Sequence, residues 1–146
     1  MEENQYRQAY HSLNPHPCAF EKAVLSGRCA CVQSYRIYIA ERETVACLAR
    51  QTACRELLIQ LHNNARFALK ISHSTGPLPH TKEMKVQCGG LLGLQAILYP
   101  ELAQLKQVEN IDALVTQASI TFEQFDRLPY QELVRFITHY QVRHAQ

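Results

Sequence analysis

The stretch that most constrains the fold runs from Thr44 to Ile71 and contains neither glycine nor proline. Its apolar side chains recur at steps of three, four or seven residues, which places them on one face of an α-helix. The side chains on that face are Cys47, Gln51, Cys54, Leu58, Leu61, Ala65 and Ala68. The pattern predicts one long central helix with two cysteines, two turns apart, on its inward side.

Proline, glycine and asparagine divide the rest of the chain into shorter segments with helical patterns. The predicted helices cover residues 18–25, 32–42, 91–99, 101–108, 111–119 and 130–142, and residues 73–80 are predicted to form a loop. A chain of 146 residues is the length of one ordinary domain. We therefore expect an all-α fold, a single-domain bundle of about six helices around one long central helix. It would span residues 15–146 and follow a flexible N-terminal arm, or short frayed helix, at residues 1–14.

Composition excludes several classes of protein. The chain is 47% apolar and 19% charged, which is typical of a globular domain. A net charge of +2 is too small to indicate nucleic-acid binding, and no window is apolar for long enough to predict a signal peptide or a membrane span. We therefore predict a cytoplasmic protein, where thiols stay reduced. In that compartment the six cysteines are more typical of metal binding or redox chemistry than of a disulfide framework.

The spacing of the cysteines favours an iron–sulfur cluster over a single ion. No paired C-x₂₋₄-C of the zinc-finger type occurs, and the common ferredoxin runs are not matched. On one helix, Cys47 and Cys54 would be about 10.5 Å apart along the axis. Zinc needs sulfurs about 4 Å apart, whereas each thiolate of a cluster binds a different iron. The prediction is a [4Fe–4S] cluster, with zinc as the alternative if the helix breaks between the two cysteines.

Three further cysteines complete the predicted ligand set. Cys18 lies at a predicted helix start, where backbone N–H groups favour a thiolate. Cys88 precedes two glycines that would let the backbone approach a bulky inorganic group. In Cys29-Ala30-Cys31 the two side chains would diverge, and we prefer Cys31. The predicted metal ligands are Cys18, Cys31, Cys47, Cys54 and Cys88.

A cluster protein of this kind would act in electron transfer, cluster carriage or redox sensing, together with a redox protein or a cluster donor or acceptor. Two other hypotheses remain open. One is a helical protein-interaction module whose cysteines are buried and inert. The other is a thiol-redox protein in which Cys29 and Cys31 form a disulfide or pass oxidation to a third cysteine. The chain shows no Ser/His/Asp arrangement, HExxH or nucleotide-binding motif, so the sequence gives no case for hydrolytic or nucleotide-dependent catalysis. Gly89 and Gly93, four residues apart, predict close packing of helices.

Overall fold

The computed structural model describes residues 2–50, 52–71 and 78–142. The chain is mostly helical but also contains a two-stranded antiparallel hairpin, so the all-α prediction is wrong. The helices are α1 (Glu3–Leu13), α2 (Glu21–Leu25), α3 (Ala53–Ala65), α4 (His80–Met84), α5 (Gly90–Leu98), α6 (Ile111–Phe122) and α7 (Tyr130–His139). A π-helical turn, Lys85–Gly89, joins α4 to α5, and short 3₁₀ turns lie at Pro100–Leu102 and Phe125–Arg127. No helix of the described ranges is long and apolar enough to cross a membrane.

The hairpin replaces one predicted helix and the beginning of another. Strand β1 (Ser34–Ile39) pairs with β2 (Arg42–Cys47), with Ser34 opposite Cys47 and Ile39 opposite Arg42. The predicted helix at 32–42 is therefore wrong. The predicted long central helix is wrong as well, because its first residues, from Thr44 to Cys47, belong to β2 and only Ala53–Ala65 is α-helical.

The hairpin forms because its residues suit a strand better than a helix. Tyrosine, isoleucine, valine and threonine make up much of both strands, and such side chains pack well on a pleated surface. Ala40 and Glu41 connect the strands with φ values of 48° and 74°, the left-handed backbone that a tight two-residue turn needs. Asn-Gly, the usual signal for such a turn, is absent, so nothing local marked the chain reversal.

The hydrophobic core lies between α3, the continuous helical run at residues 80–98, which we call the central helical segment, α6 and α7. Leu57 and Leu61 of α3 are fully buried there, as are Leu91 of α5 and Leu133 of α7. The predicted helices at 91–99, 111–119 and 130–142 are present with small changes at their ends, whereas 101–108 forms only a short 3₁₀ turn. Most of the predicted loop at 73–80 lies outside the described residues, and α4 begins at its last residue, His80.

Helix α1 occupies most of the predicted N-terminal arm and packs on the hairpin through polar contacts. Arg42 of β2 forms an ion pair with Glu3 at 3.0 Å, and its guanidinium lies 4.1 Å from the ring centroid of Tyr6. None of the residues of α1 is fully buried. This helix therefore covers the hairpin without adding to the core.

Helices α3 and α4 are joined by a half-buried ion pair between His62 and Glu83, with 2.8 Å between the histidine Nε2 and a carboxylate oxygen. The side-chain amide of Gln87 donates to the same oxygen at 3.0 Å. Burial raises the pKa of Glu83, but the hydrogen bonds from His62 and Gln87 lower it further than burial raises it. The net pKa lies below its ordinary value of 4.5, so the ionised carboxylate stabilises the folded state.

This ion pair makes part of the stability depend on pH. Because the folded-state pKa of Glu83 is depressed, its contribution is present above about pH 4.5 and is lost as the pH falls through the folded-state pKa. We expect Glu83→Gln to lower the free energy of unfolding by about 1–2 kcal/mol at neutral pH. The loss should be smaller at an acidic pH below 4.5, because the native carboxyl takes up a proton as the pH falls through its folded-state pKa. Urea denaturation at both pH values measures it, and Glu109→Gln, at an exposed position, is the control. An equal loss at both pH values would contradict the assignment.

Candidate metal centre

Four of the five predicted ligands meet at one small cavity. Its volume is about 20 Å³, and its lining includes Cys18, Cys31, Cys47 and Cys54 together with Asp112. All four cysteines are partly buried and unpaired by disulfides. They come from separate segments of the chain, and the tertiary structure alone brings them together.

Cys18 and Cys47 are placed by strand pairing. Residues 16–18 lie antiparallel to β2, with Pro17 opposite Ala46. The N–H of Cys18 donates to the carbonyl of Val45 at 2.9 Å, and the N–H of Cys47 donates to the carbonyl of His16 at 2.8 Å. Because these two hydrogen bonds flank the Pro17–Ala46 pair, Cys18 and Cys47 are held on adjacent stretches of backbone.

Cys31 is placed by a turn that leads into the hairpin. Its carbonyl accepts hydrogen bonds from the N–H of Ser34 at 3.1 Å and from the Ser34 hydroxyl at 2.8 Å. Ser34 in turn is the register partner of Cys47. The turn therefore fixes Cys31 at the open end of the hairpin, where β2 ends.

Cys54 reaches the cavity from the first turn of α3. Ile111 and Asp112, from the first turn of α6, line the cavity beside it. The chain leaves β2 at Cys47 and enters α3 at Ala53, so Cys47 and Cys54 no longer share a helix. The separation of about 10.5 Å expected for a single helix therefore does not apply. Because that separation was the argument against zinc, zinc is no longer disfavoured.

Burial and the neighbouring sulfurs both affect the pKa values of Cys18 and Cys54. Burial first, and then negative charge on the other three sulfurs and on Asp112, raises the pKa of the Cys54 thiol to about 12. Burial likewise raises the pKa of Cys18 to about 12, although a hydrogen bond from the backbone N–H of Phe20 acts in the opposite direction. Four thiolates would repel one another here without a cation, and a bound metal ion would reverse that balance.

The fifth predicted ligand lies elsewhere. Cys88 belongs to the π-helical turn and is fully buried against Cys29, which is also buried. The hydrogen bond that Cys29 donates to Cys88 lowers the pKa of Cys88 and raises that of Cys29. The Ser26 hydroxyl also lies 3.9 Å from the Cys88 sulfur. The cavity with the other four cysteines thus does not include Cys88, and Cys29 and Cys31 lie in different sites.

Sequence reasoning missed the pairing of Cys29 with Cys88. Cys29 is placed by a parallel bridge with Val108, and its neighbour Ala30 donates a backbone hydrogen bond to Val108 and accepts one from Ile111. These contacts hold residues 29–30 beside residues 108–111. No local pattern in the sequence signals a contact of this range.

The structure describes residues 2–50, 52–71 and 78–142. In the conformation described, these ranges contain no group of three or more His, Cys, Asp or Glu residues arranged to hold a metal ion. Comparisons of the chain with protein-family models, with curated proteins and with solved structures found no significant match. The assignment of a function therefore depends on the chemistry of the four-cysteine cavity.

Proposed function

We propose that this is a metal-binding protein in which Cys18, Cys31, Cys47 and Cys54 hold one metal centre through their thiolates. The observation that carries the proposal is the convergence of these four cysteines, from four segments, on one small cavity. Cysteine thiolates in sets of four are the donors of structural zinc sites and of iron–sulfur clusters. Binding requires the four side chains to turn further toward one another, because their present arrangement does not hold an ion.

A single Zn²⁺ ion is the occupant that the cavity favours. Its volume of about 20 Å³ is enough for one water molecule or small ion. A cage of four irons and four sulfides would need much more space. The site also lies where the hairpin meets the helical body. A two-stranded hairpin is marginally stable on its own, and most of β1 is exposed or half-exposed. An ion bound by all four cysteines would tie the hairpin to residues 16–18 and to α3.

The iron–sulfur cluster predicted from the sequence is the second candidate. The observation that favours it is the wide spacing of the ligands, since the chain lacks the C-x₂₋₄-C pairs typical of zinc sites. A cluster would give the protein a role in electron transfer, cluster carriage or redox sensing, with a redox protein or a cluster donor or acceptor as its partner. Either occupant suits the cytoplasm, which we propose as the compartment because free thiols are maintained there.

The test is elemental analysis, with an ultraviolet–visible spectrum, of protein purified without oxygen. One zinc per chain and a colourless solution would support the structural site. Iron and sulfide in similar amounts, with the brown colour of a thiolate-bound cluster, would support the second candidate. Protein that is stably folded without metal, and that binds neither zinc nor a reconstituted cluster, would overturn the proposal. A helical interaction module with inert cysteines would then be the working hypothesis.

A further inference from the structure

A second, larger cavity lies on another part of the molecule. It has a volume of about 540 Å³ and is bordered by the C-terminal half of α7, by the central helical segment and by residues 103–106. This volume lies within the range of small-molecule sites. None of the four cysteines of the candidate metal centre lines it. We call it the basic cavity, because its lining includes three cationic side chains, those of Arg28, Lys106 and Arg135.

The charge of the basic cavity is strongly one-sided. Arg28, Lys106 and Arg135 carry three positive charges, and no Asp or Glu is among the described residues that line it. The whole chain has a net charge of only +2, so this concentration of charge is local. Within the described ranges, no carboxylate forms an ion pair with Lys106 or Arg135. A cavity of one sign raises the local concentration of oppositely charged ligands.

The floor of the basic cavity is preorganised. Arg28 donates from Nη1 to the Tyr140 hydroxyl at 2.5 Å and to the carbonyl of Gln141 at 3.1 Å. Its guanidinium also lies 5.3 Å from the centroid of the Tyr140 ring. These contacts fix one positive charge in place, so a ligand would not have to order that side chain on binding.

The C-terminal end of α7 would ordinarily disfavour an anion, because the helix dipole is negative there. In this protein the ammonium of Lys85 donates to the carbonyls of Thr138 at 3.0 Å and Tyr140 at 2.8 Å. Lys85 thereby satisfies carbonyls at the end of α7 and offsets the negative end of its dipole. The positive field of the cavity is therefore preserved beside the helix terminus.

The apolar part of the lining comes mainly from Leu92, Leu105 and Phe136. Leu105 is about half exposed, at 49%. Aliphatic and aromatic side chains together with a few cationic ones are a composition that suits a site for an organic anion. Three cations suit the two charges of a phosphate ester better than the single charge of a carboxylate.

We propose that the basic cavity binds a small organic phosphate, with the phosphate between Arg28, Lys106 and Arg135 and the organic part against Leu92 and Phe136. This binding is independent of the metal centre. The proposal does not depend on which metal, if any, the four cysteines hold.

The experiment is an NMR titration of the intact protein, as purified, with three probes. Phenyl phosphate carries both parts of the expected ligand, inorganic phosphate only the anion, and phenol only the ring. We expect phenyl phosphate to bind most tightly and to shift the amide signals of Leu92 and Phe136. Absence of binding at millimolar phenyl phosphate, or shifts confined to other surfaces, would overturn the proposal. Phenol binding as tightly as phenyl phosphate would also overturn it.

Two variants test the role of charge. Arg135 is exposed on α7, so Arg135→Gln should fold normally and weaken phenyl phosphate binding about tenfold, as expected for the loss of one charge-assisted contact. Arg55→Gln is the matched control, an exposed arginine on α3 that does not line the cavity, and should change the affinity less than about twofold. Equal weakening by both variants would mean non-specific attraction and would overturn the site. Metal content, measured in parallel, should be the same in all three proteins.

Discussion

Replacing Cys31 by serine is expected to abolish metal binding at the proposed metal centre, whereas replacing Cys29 by serine is expected to leave it intact. The two cysteines are two residues apart, but Cys31 lines the four-cysteine cavity and Cys29 is buried against Cys88. A serine hydroxyl is a poor substitute for a thiolate ligand. Metal content of Cys31→Ser should fall below about a tenth of that of the unchanged protein. Metal analysis of the two purified variants measures the difference.

The same substitution should cost stability because metal binding is coupled to folding. For Cys31→Ser we expect the free energy of unfolding to fall by more than about 4 kcal/mol. Loss of a bound metal is one of the few mechanisms that cause a loss of this size. The loss should be centred on the hairpin, since the proposed ion would tie β2 and residues 16–18 to α3. The helical core contains none of the four proposed ligands among its fully buried residues, and it should keep most of its circular dichroism.

The controls separate loss of metal from loss of packing. Cys29→Ser and Cys88→Ser each place a hydroxyl in the buried thiol pair and should cost about 1–3 kcal/mol while keeping the metal. Chelation of the metal from the unchanged protein should reproduce most of the destabilisation of Cys31→Ser. If Cys31→Ser retained its metal, or if Cys88→Ser lost it, the assignment of ligands would be wrong.

The second large effect is expected at Gly89, where the central helical segment crosses α7. A Cβ at this position would lie 2.7 Å from the Ile137 Cα and 2.8 Å from the Phe136 carbonyl oxygen. Both are backbone atoms of a packed helix, so the two helices would have to separate. We expect Gly89→Ala to lower the free energy of unfolding by at least about 3 kcal/mol, despite the better helix propensity of alanine.

Gly90→Ala provides the matched control one residue away. Its Cβ would meet the Leu61 side chain, with Cδ1 at 2.8 Å, and the end of a leucine can rotate aside. The gain of about 0.5–1 kcal/mol from replacing a helical glycine offsets part of that cost. The net change should stay within about 1 kcal/mol of zero. Urea denaturation midpoints compare the two variants, and similar losses from both would show that the contact with α7 is looser than the distances indicate.

Three helices in the second half of the chain, α5, α6 and α7, were predictable from the sequence. Glycine, proline and asparagine mark their ends, and their apolar residues repeat at helical spacing between those marks. The close packing predicted from Gly89 and Gly93 is confirmed, since a Cβ at either position would meet Phe136 of α7. Such features depend on interactions between residues a few positions apart, which the sequence displays directly.

The hairpin and the cysteine cavity depended on the tertiary structure. Cys47 and Cys54 share helical spacing, but one ends a strand and the other begins a helix, because pairing with β1 and with residues 16–18 overrides the local pattern. The sequence supplied six cysteines, and four of them line one cavity. It did not determine which four, since the separation of Cys88 from that cavity results from packing against Cys29 across a long span of chain. Local patterns thus determined where most helices form, and long-range pairing alone decided which thiols are neighbours.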